Sequence, residues 1–283
     1  MLRRTMTFLC IAAAACSDNE TPLPQKSPYA ALQPTALPCT PNLDGKIEAK
    51  ELEPALGVAA SYLVSPAGKD RMVDTGGFVA SNGKLTWQLG NDYADDEVAR
   101  LTATALDGHW YAASFANRVA NAFVTPIDAA DRTEGVYTHD ETGLYLHGIA
   151  SKDENPPEGK TLLVYETPIT LYKFPIENGA TWSTTAETKN ATLRGLPYAG
   201  RDTYEMKVDG AGDLGLPDFE LTQALRVRTK VTVVPVAGET TTQRQTGFLF
   251  ECLGEVARAT SKLNEPDEGF TDASELRRLG LSR

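Results

Sequence analysis

From Met72 onward, apolar and polar residues alternate in short runs separated by turn dipeptides, and the clearest run is ALRVRTKVTVV. Val227, Val231 and Val233 fall on one face of it, while Arg226, Arg228, Lys230 and Thr232 fall on the other. That period of two is what a half-buried strand requires. LTATALDGHWYAASF reads as two strands joined by a type I′ turn at Asp107-Gly108. GVYTHDETGLYLHGIAS reads the same way, turning at residues 140–143, and RDTYEMKVDGAG is expected to turn at Asp209-Gly210. TLLVYE and ITLYKF, a strand near ATWSTTAET, then TTTQRQTGFLFEC and GEVARATS complete about a dozen strands at near-regular spacing. No long helical pattern alternates with them, so the sheet is antiparallel. The expected fold is mainly β, an up-and-down antiparallel sheet curled into an open or closed barrel or a sandwich. Two short helices are expected, one over 48–56 and one after Asp272, where Asp272 and Glu275 have capping-box spacing.

The N-terminus carries a different pattern. MLRRTMTFLCIAAAACSDNE places Arg3 and Arg4 before an uncharged run and small residues before Cys16, the plan of a secretory signal over 1–15. The run is too short for a membrane span of about 20 residues. AAAC at 13–16 resembles the lipobox of bacterial lipoproteins, with Ala13 where Leu is usual. The resemblance implies cleavage before Cys16, lipidation of that residue and a membrane partner through the anchor. Ser17 in the next position then favours the outer membrane as the location; plain secretion is the alternative. Five prolines between 16 and 38 make that stretch an extended tether. Residues 39–56 follow as a loop and short helix, 57–262 as the β domain, and 263–283 as a polar tail with a short helix.

The net charge of −11 argues against nucleic acid as a partner. Of four cysteines, Cys10 leaves with the signal and Cys16 carries lipid. Cys39 and Cys252 remain, and an oxidising compartment favours their pairing, with two separate buried thiols as the alternative.

TPNLDGKIEAKE, residues 40–51, has oxygen-bearing side chains around a central glycine. Calcium takes six to eight oxygens from a chain that wraps sharply around it. Thr40, Asn42, Asp44, the Lys46 carbonyl, Glu48 and Glu51 are the candidate ligands, with Gly45 permitting the reversal. The stretch resembles an EF-hand loop in degenerate form: Thr40 replaces the usual acid, LQPTALPC is too proline-rich for an entering helix, and no second loop accompanies it. The resemblance implies weak, structural Ca2+ near the anchor; a hydrogen-bonded turn is the alternative.

Other chemistry is sparse. Asp74-Thr75-Gly76 matches the aspartic-protease triplet, but that chemistry needs a second carboxylate and no second triplet occurs. His109, His139 and His147 show no metal spacing, and neither a serine elbow nor a phosphate loop is present. The stripe of Arg226, Arg228 and Lys230 reads as a solvated face paired with acids. GVAASYLVSPAG, FPIENGATW and FLFECLGEVARATS resemble uncharacterised delta-proteobacterial lipoproteins, which supports location and β content only. The expectation is a non-catalytic cell-envelope lipoprotein with a structural or interaction role. The alternatives are a carrier with an apolar hollow lined by Tyr145, Leu163, Phe174 and Trp182, and a hydrolase of unrecognised type.

Overall fold

A computed structural model describes residues 39–115 and 119–281. The expected signal, tether and lipidation residue Cys16 lie outside them. The chain begins with β1 (Lys46–Ile47), a 3-10 turn at Ala49–Glu51 and β2 (Ala59–Val64). Three short strands follow, β3 (Arg71–Met72), β4 (Phe78–Val79) and β5 (Leu85–Gln88). Next come β6 (Glu97–Thr102), β7 (Thr104–Ala105) and the single-turn helix α1 (Ala112–Phe115). The remaining strands are β8 (Phe123–Pro126), β9 (Thr133–Asp140), β10 (Gly143–Ser151), β11 (Leu162–Lys173), β12 (Ile176–Glu177) and β13 (Thr181–Leu193). The longest follow: β14 (Leu196–Gly215), β15 (Glu220–Pro235), β16 (Thr241–Phe250), β17 (Gly254–Leu263) and β18 (Asp272–Leu279).

The main sheet runs β6-β2-β18-β17-β16-β15-β14-β13-β11-β10-β9-β8-β7, and neighbours along this path are antiparallel. Its two ends belong to one stretch of chain, since only Ala103 separates β6 from β7. β6 pairs with β2, and β7 pairs with β8, so the sheet is nearly closed into a barrel. Closure leaves few strand edges open to another chain.

Apolar layers pack at several places on this frame. Trp87 of β5 is fully buried and meets Phe248 edge-on, ring centroids 5.1 Å apart, among Leu214, Leu216, Ala224 and Val256. Truncating such a side chain to alanine costs about 3–5 kcal/mol. Tyr111 and Phe115, carried by the α1 segment, pack on Val124, Val136 and Ala150. Ile47 and Ile176, opposed across the β1–β12 pair, join Trp182, Leu225 and Leu249 in a further cluster.

The hairpin at 140–143 forms as expected, with Asp140 opposite Gly143. Asp209-Gly210 does not turn. It is a bulge inside β14, where pairing with β15 shifts between Val208 and Gly210. The glycines answer to a close approach: a Cβ on Gly210 would sit 2.9 Å from the Trp87 ring, and one on Gly212 would lie 2.2 Å from the Leu85 carbonyl oxygen. Gly108 takes the positive φ of +90° that a turn needs, but His109–Tyr111 continue into α1 rather than into a strand. Their aromatic rings are drawn onto the barrel wall instead.

Both expected helices are corrected. Over 48–56 only the 3-10 turn forms, because Pro54 supplies no N–H and restrains the residue before it. After Asp272 the chain is a strand, not a helix: β18 lies between β17 and β2 and buries Ala273, Leu276, Arg277 and Arg278. The β domain therefore continues past residue 262 to Leu279.

Candidate functional site

The barrel contains a cavity of about 750 Å³. Strand alternation sends Leu144 and Leu146 of β10, Tyr204 and Met206 of β14, and Val227 and Val231 of β15 to its wall. It reaches the surface where exposed Ala55, Val58 and Leu253 form part of its rim. A hollow was expected to be lined by Tyr145, Leu163, Phe174 and Trp182, and none of these lines it. Beside Tyr145, the adjacent Leu144 and Leu146 do so instead. In β10 one residue, His147, is skipped by both neighbouring strands, and the inward set passes there from Leu144 and Leu146 to Ile149. Tyr145 donates to or accepts from Thr142 at 2.6 Å, and Trp182 Nε1 donates to the Thr170 carbonyl at 3.1 Å.

A charged cluster interrupts the apolar wall. Arg258 of β17 and Arg277 of β18 are direct cross-strand partners. Arg277 Nη2 donates to Glu255 Oε1 at 2.5 Å, and Arg258 Nη1 lies 3.6 Å from the same oxygen. Arg258 Nη2 donates to the Ile127 carbonyl at 2.9 Å and lies 3.7 Å from Glu275. The Arg277 guanidinium lies over the Tyr62 ring, 5.2 Å from its centroid. Gly247 of β16 stands opposite Arg258 and leaves room for the carboxylate, since a Cβ there would come within 3.2 Å of Glu255 Oε2. Burial opposes ionisation of Glu255, but the charges of Arg258 and Arg277 and the Arg277 hydrogen bond outweigh it and hold the carboxyl below its ordinary value.

Tyrosines complete the polar part of the wall. Burial raises Tyr137 and Tyr172 far above the usual phenol value, and the nearby Glu255 charge adds to it. Tyr204 is pushed up to about 12, by burial first and by Asp202 second. All three therefore stay neutral hydroxyls in the cavity wall at physiological pH.

The residues of the calcium-like loop are tied together by hydrogen bonds of their own. Asn42 Oδ1 accepts from Asp44 N at 2.8 Å, and Asp44 Oδ1 accepts from Lys46 N at 3.2 Å. Glu51 is buried, with Oε1 accepting from Asn42 Nδ2 and Oε2 from Glu48 N, both at 2.9 Å. Glu48 points to Lys46 and Lys50, and Thr40 is exposed. Gly45 makes the expected reversal at φ +88°. A cation at this loop would compete with N–H donors for most of its side-chain oxygens. Among the described residues no cluster of three or more His, Cys, Asp or Glu is placed to hold a metal.

Cys39 and Cys252 form a disulfide with a Cα–Cα distance of 5.6 Å. Beside it lies Glu251, which the sequence did not single out: its Oε2 accepts from Asn42 N and Leu43 N, both at 2.7 Å. Only adjacency to Cys252 marks it in the chain. The loop is thus clasped to the β16–β17 turn by one covalent bond and by the buried carboxylate of Glu251, while the Glu51 carboxylate holds the loop together from within. The main chain adds Cys252 N donating to the Glu51 carbonyl at 2.9 Å.

The remaining candidates settle into structural roles. Asp74 Oδ1 accepts from Gly76 N and Gly77 N, as in a turn. Arg226 and Arg228 share Asp209, and Lys230 lies 3.2 Å from Glu205, so the basic stripe is paired with acids as expected; it is not solvated throughout, since Arg226 is buried and Nη1 donates to the Thr75 and Gly76 carbonyls. His147 Nε2 bonds Thr138 Oγ1 at 2.7 Å, and His109 Nδ1 lies 3.1 Å from the Tyr111 hydroxyl. The cluster of Glu255, Arg258 and Arg277 carried no signal in the sequence, because its partners come from two strands whose pairing is set by the barrel. Comparison of the chain with protein families, with characterised proteins and with solved structures returned no match.

Proposed function

We propose that the protein is a non-catalytic binding protein of the cell envelope that holds an apolar ligand inside its barrel, with the lipid anchor at Cys16 keeping it at the membrane. The observation that carries this reading is the 750 Å³ cavity with its largely aliphatic and tyrosine wall. Small-molecule sites are concave, mostly apolar and of about 300–1,000 Å³. A barrel filled by its own side chains would have no such space. The Cys39–Cys252 bond supports an oxidising compartment.

The test uses the neutral fluorophore N-phenyl-1-naphthylamine and two cavity-filling variants, Val231→Trp and Thr229→Phe. The wild-type chain is expected to enhance its fluorescence saturably, and variants that keep a cooperative melting transition are expected to lose that enhancement. Absence of binding to the wild type, or equal binding to folded variants, would overturn the reading.

A further inference from the structure

We infer that the β17–β18 wall of the cavity recognises the anionic head, a carboxylate or a phosphate, of an amphipathic ligand whose apolar body lies in the barrel. This rests on the reading of the barrel as a ligand-holding site, and it specifies the class of ligand.

The first reason is the pairing of like charges. Arg258 and Arg277 stand directly opposite each other across two strands, an arrangement that is destabilising unless an anion lies between them. Among the described residues Glu255 is the carboxylate in contact with both, through a single oxygen. Glu275 approaches Arg258 only to 3.7 Å, beyond hydrogen-bond distance.

The second reason is unused donor capacity. Arg277 is 6% exposed, and of its three side-chain nitrogens Nε and Nη1 have no partner; Arg258 Nε has none either. Unpartnered buried donors of this kind are rare, and a guanidinium has no other way to use them than to meet an acceptor. Arg278 on the same strand is buried differently: Nη1 reaches the carbonyls of Leu89 and Asn91, Nη2 reaches Asp96, and only Nε is unpartnered. Arg278 is thus held by the protein, whereas Arg277 keeps most of its fork unused. A guanidinium fork matches a carboxylate or phosphate in two-point geometry. Tyr137 of β9 and Tyr172 of β11, kept neutral by burial, line the same cavity and supply further hydroxyls.

The experiment measures displacement of N-phenyl-1-naphthylamine from the full chain in detergent-free buffer by dodecanoate, dodecyl phosphate and dodecanol, which share one chain length. At least one of the two anions is expected to compete about tenfold better than the alcohol, the worth of one charge-assisted hydrogen bond. Which anion is favoured identifies the head. Arg258→Gln is expected to abolish the preference. Glu255→Gln, which removes the resident carboxylate, is expected to increase it. Equal displacement by all three compounds, or a preference that survives Arg258→Gln in a folded chain, would overturn the headgroup assignment and leave the barrel reading standing. Failure of the fluorophore itself to bind would remove both.

Discussion

Arg258 and Arg277 face each other across β17 and β18 with a single oxygen atom, Glu255 Oε1, in reach of both. Two cations and one anion in a barrel wall form a unit in which no member is replaceable alone. Leaving a buried charge unpaired costs about 3–5 kcal/mol. Glu255→Leu is therefore expected to lower the unfolding free energy measured in urea by about that amount.

The same group has a pH signature. Its folded value lies below the ordinary 4.5, so its stabilising contribution is present above pH 4.5 and is lost as pH falls through the folded value. The gap between the urea midpoints of wild type and Glu255→Gln should be widest near pH 7 and close in acid. A gap independent of pH would show that Glu255 is not ionised in the fold.

Asp202 behaves in the opposite sense. Burial raises its value above the ordinary 3.8, and the hydrogen bond from Tyr165, 2.7 Å, offsets this only in part. Its Oδ1 has no partner. The fold therefore loses stability as pH rises through 3.8 toward the folded value. Asp202→Asn keeps an acceptor for Tyr165 and removes the charge, so it is expected to melt at a higher temperature than wild type at pH 7. The advantage should vanish in acid; a variant less stable at every pH would contradict this account.

Glu51 tests the loop beside the disulfide. Both of its oxygens receive N–H donors, so Glu51→Gln turns one acceptor into a donor facing a donor and is expected to cost about 1–3 kcal/mol. Calorimetric melts with and without millimolar calcium should show the same loss. A loss confined to the calcium-containing sample would instead establish the loop as a cation site.

The clasp also has a covalent half. Cys39 and Cys252 are 213 residues apart, and chain-entropy estimates for loops of this size are about 5 kcal/mol. The paired serine variant is expected to lose about 2–5 kcal/mol in urea unfolding.

Gly212 tests the approach of β5 to the barrel. A methyl group would fall 2.2 Å from a backbone oxygen that cannot rotate away. Gly212→Ala is expected to cost about 1–3 kcal/mol. Gly269→Ala, whose Cβ would meet nothing closer than 3.6 Å, serves as the near-neutral control in the same denaturation series.

The strand content, the antiparallel order and the pairing of Cys39 with Cys252 were legible in the amino-acid sequence. Period-two alternation, as in 226–233, survives folding because it reports local geometry: successive side chains leave a strand on opposite sides. The turn at 140–143 was readable for the same reason, since its asparagine-like Asp140 bonds its own backbone at Thr142 and Gly143.

What remained hidden depends on partners distant in the chain. Asp209-Gly210 has the local chemistry of a turn, yet Trp87 and Leu85 press against that stretch of β14 and keep it extended, which no local pattern records. DASELRRL has helix-like capping at one end, but β17 and β2 offer it two ladders of hydrogen bonds, and tertiary pairing overrides weak propensity. The hollow was foreseeable as an alternative, though not its lining, because alternation says that two faces exist and only the curl of the sheet decides which one turns inward. The sequence by itself determined that the chain would be a β-sheet joined by a disulfide; the barrel's closure, its cavity and the meeting of Glu255, Arg258 and Arg277 were decided only in three dimensions, where register between strands sets which side chains share a wall.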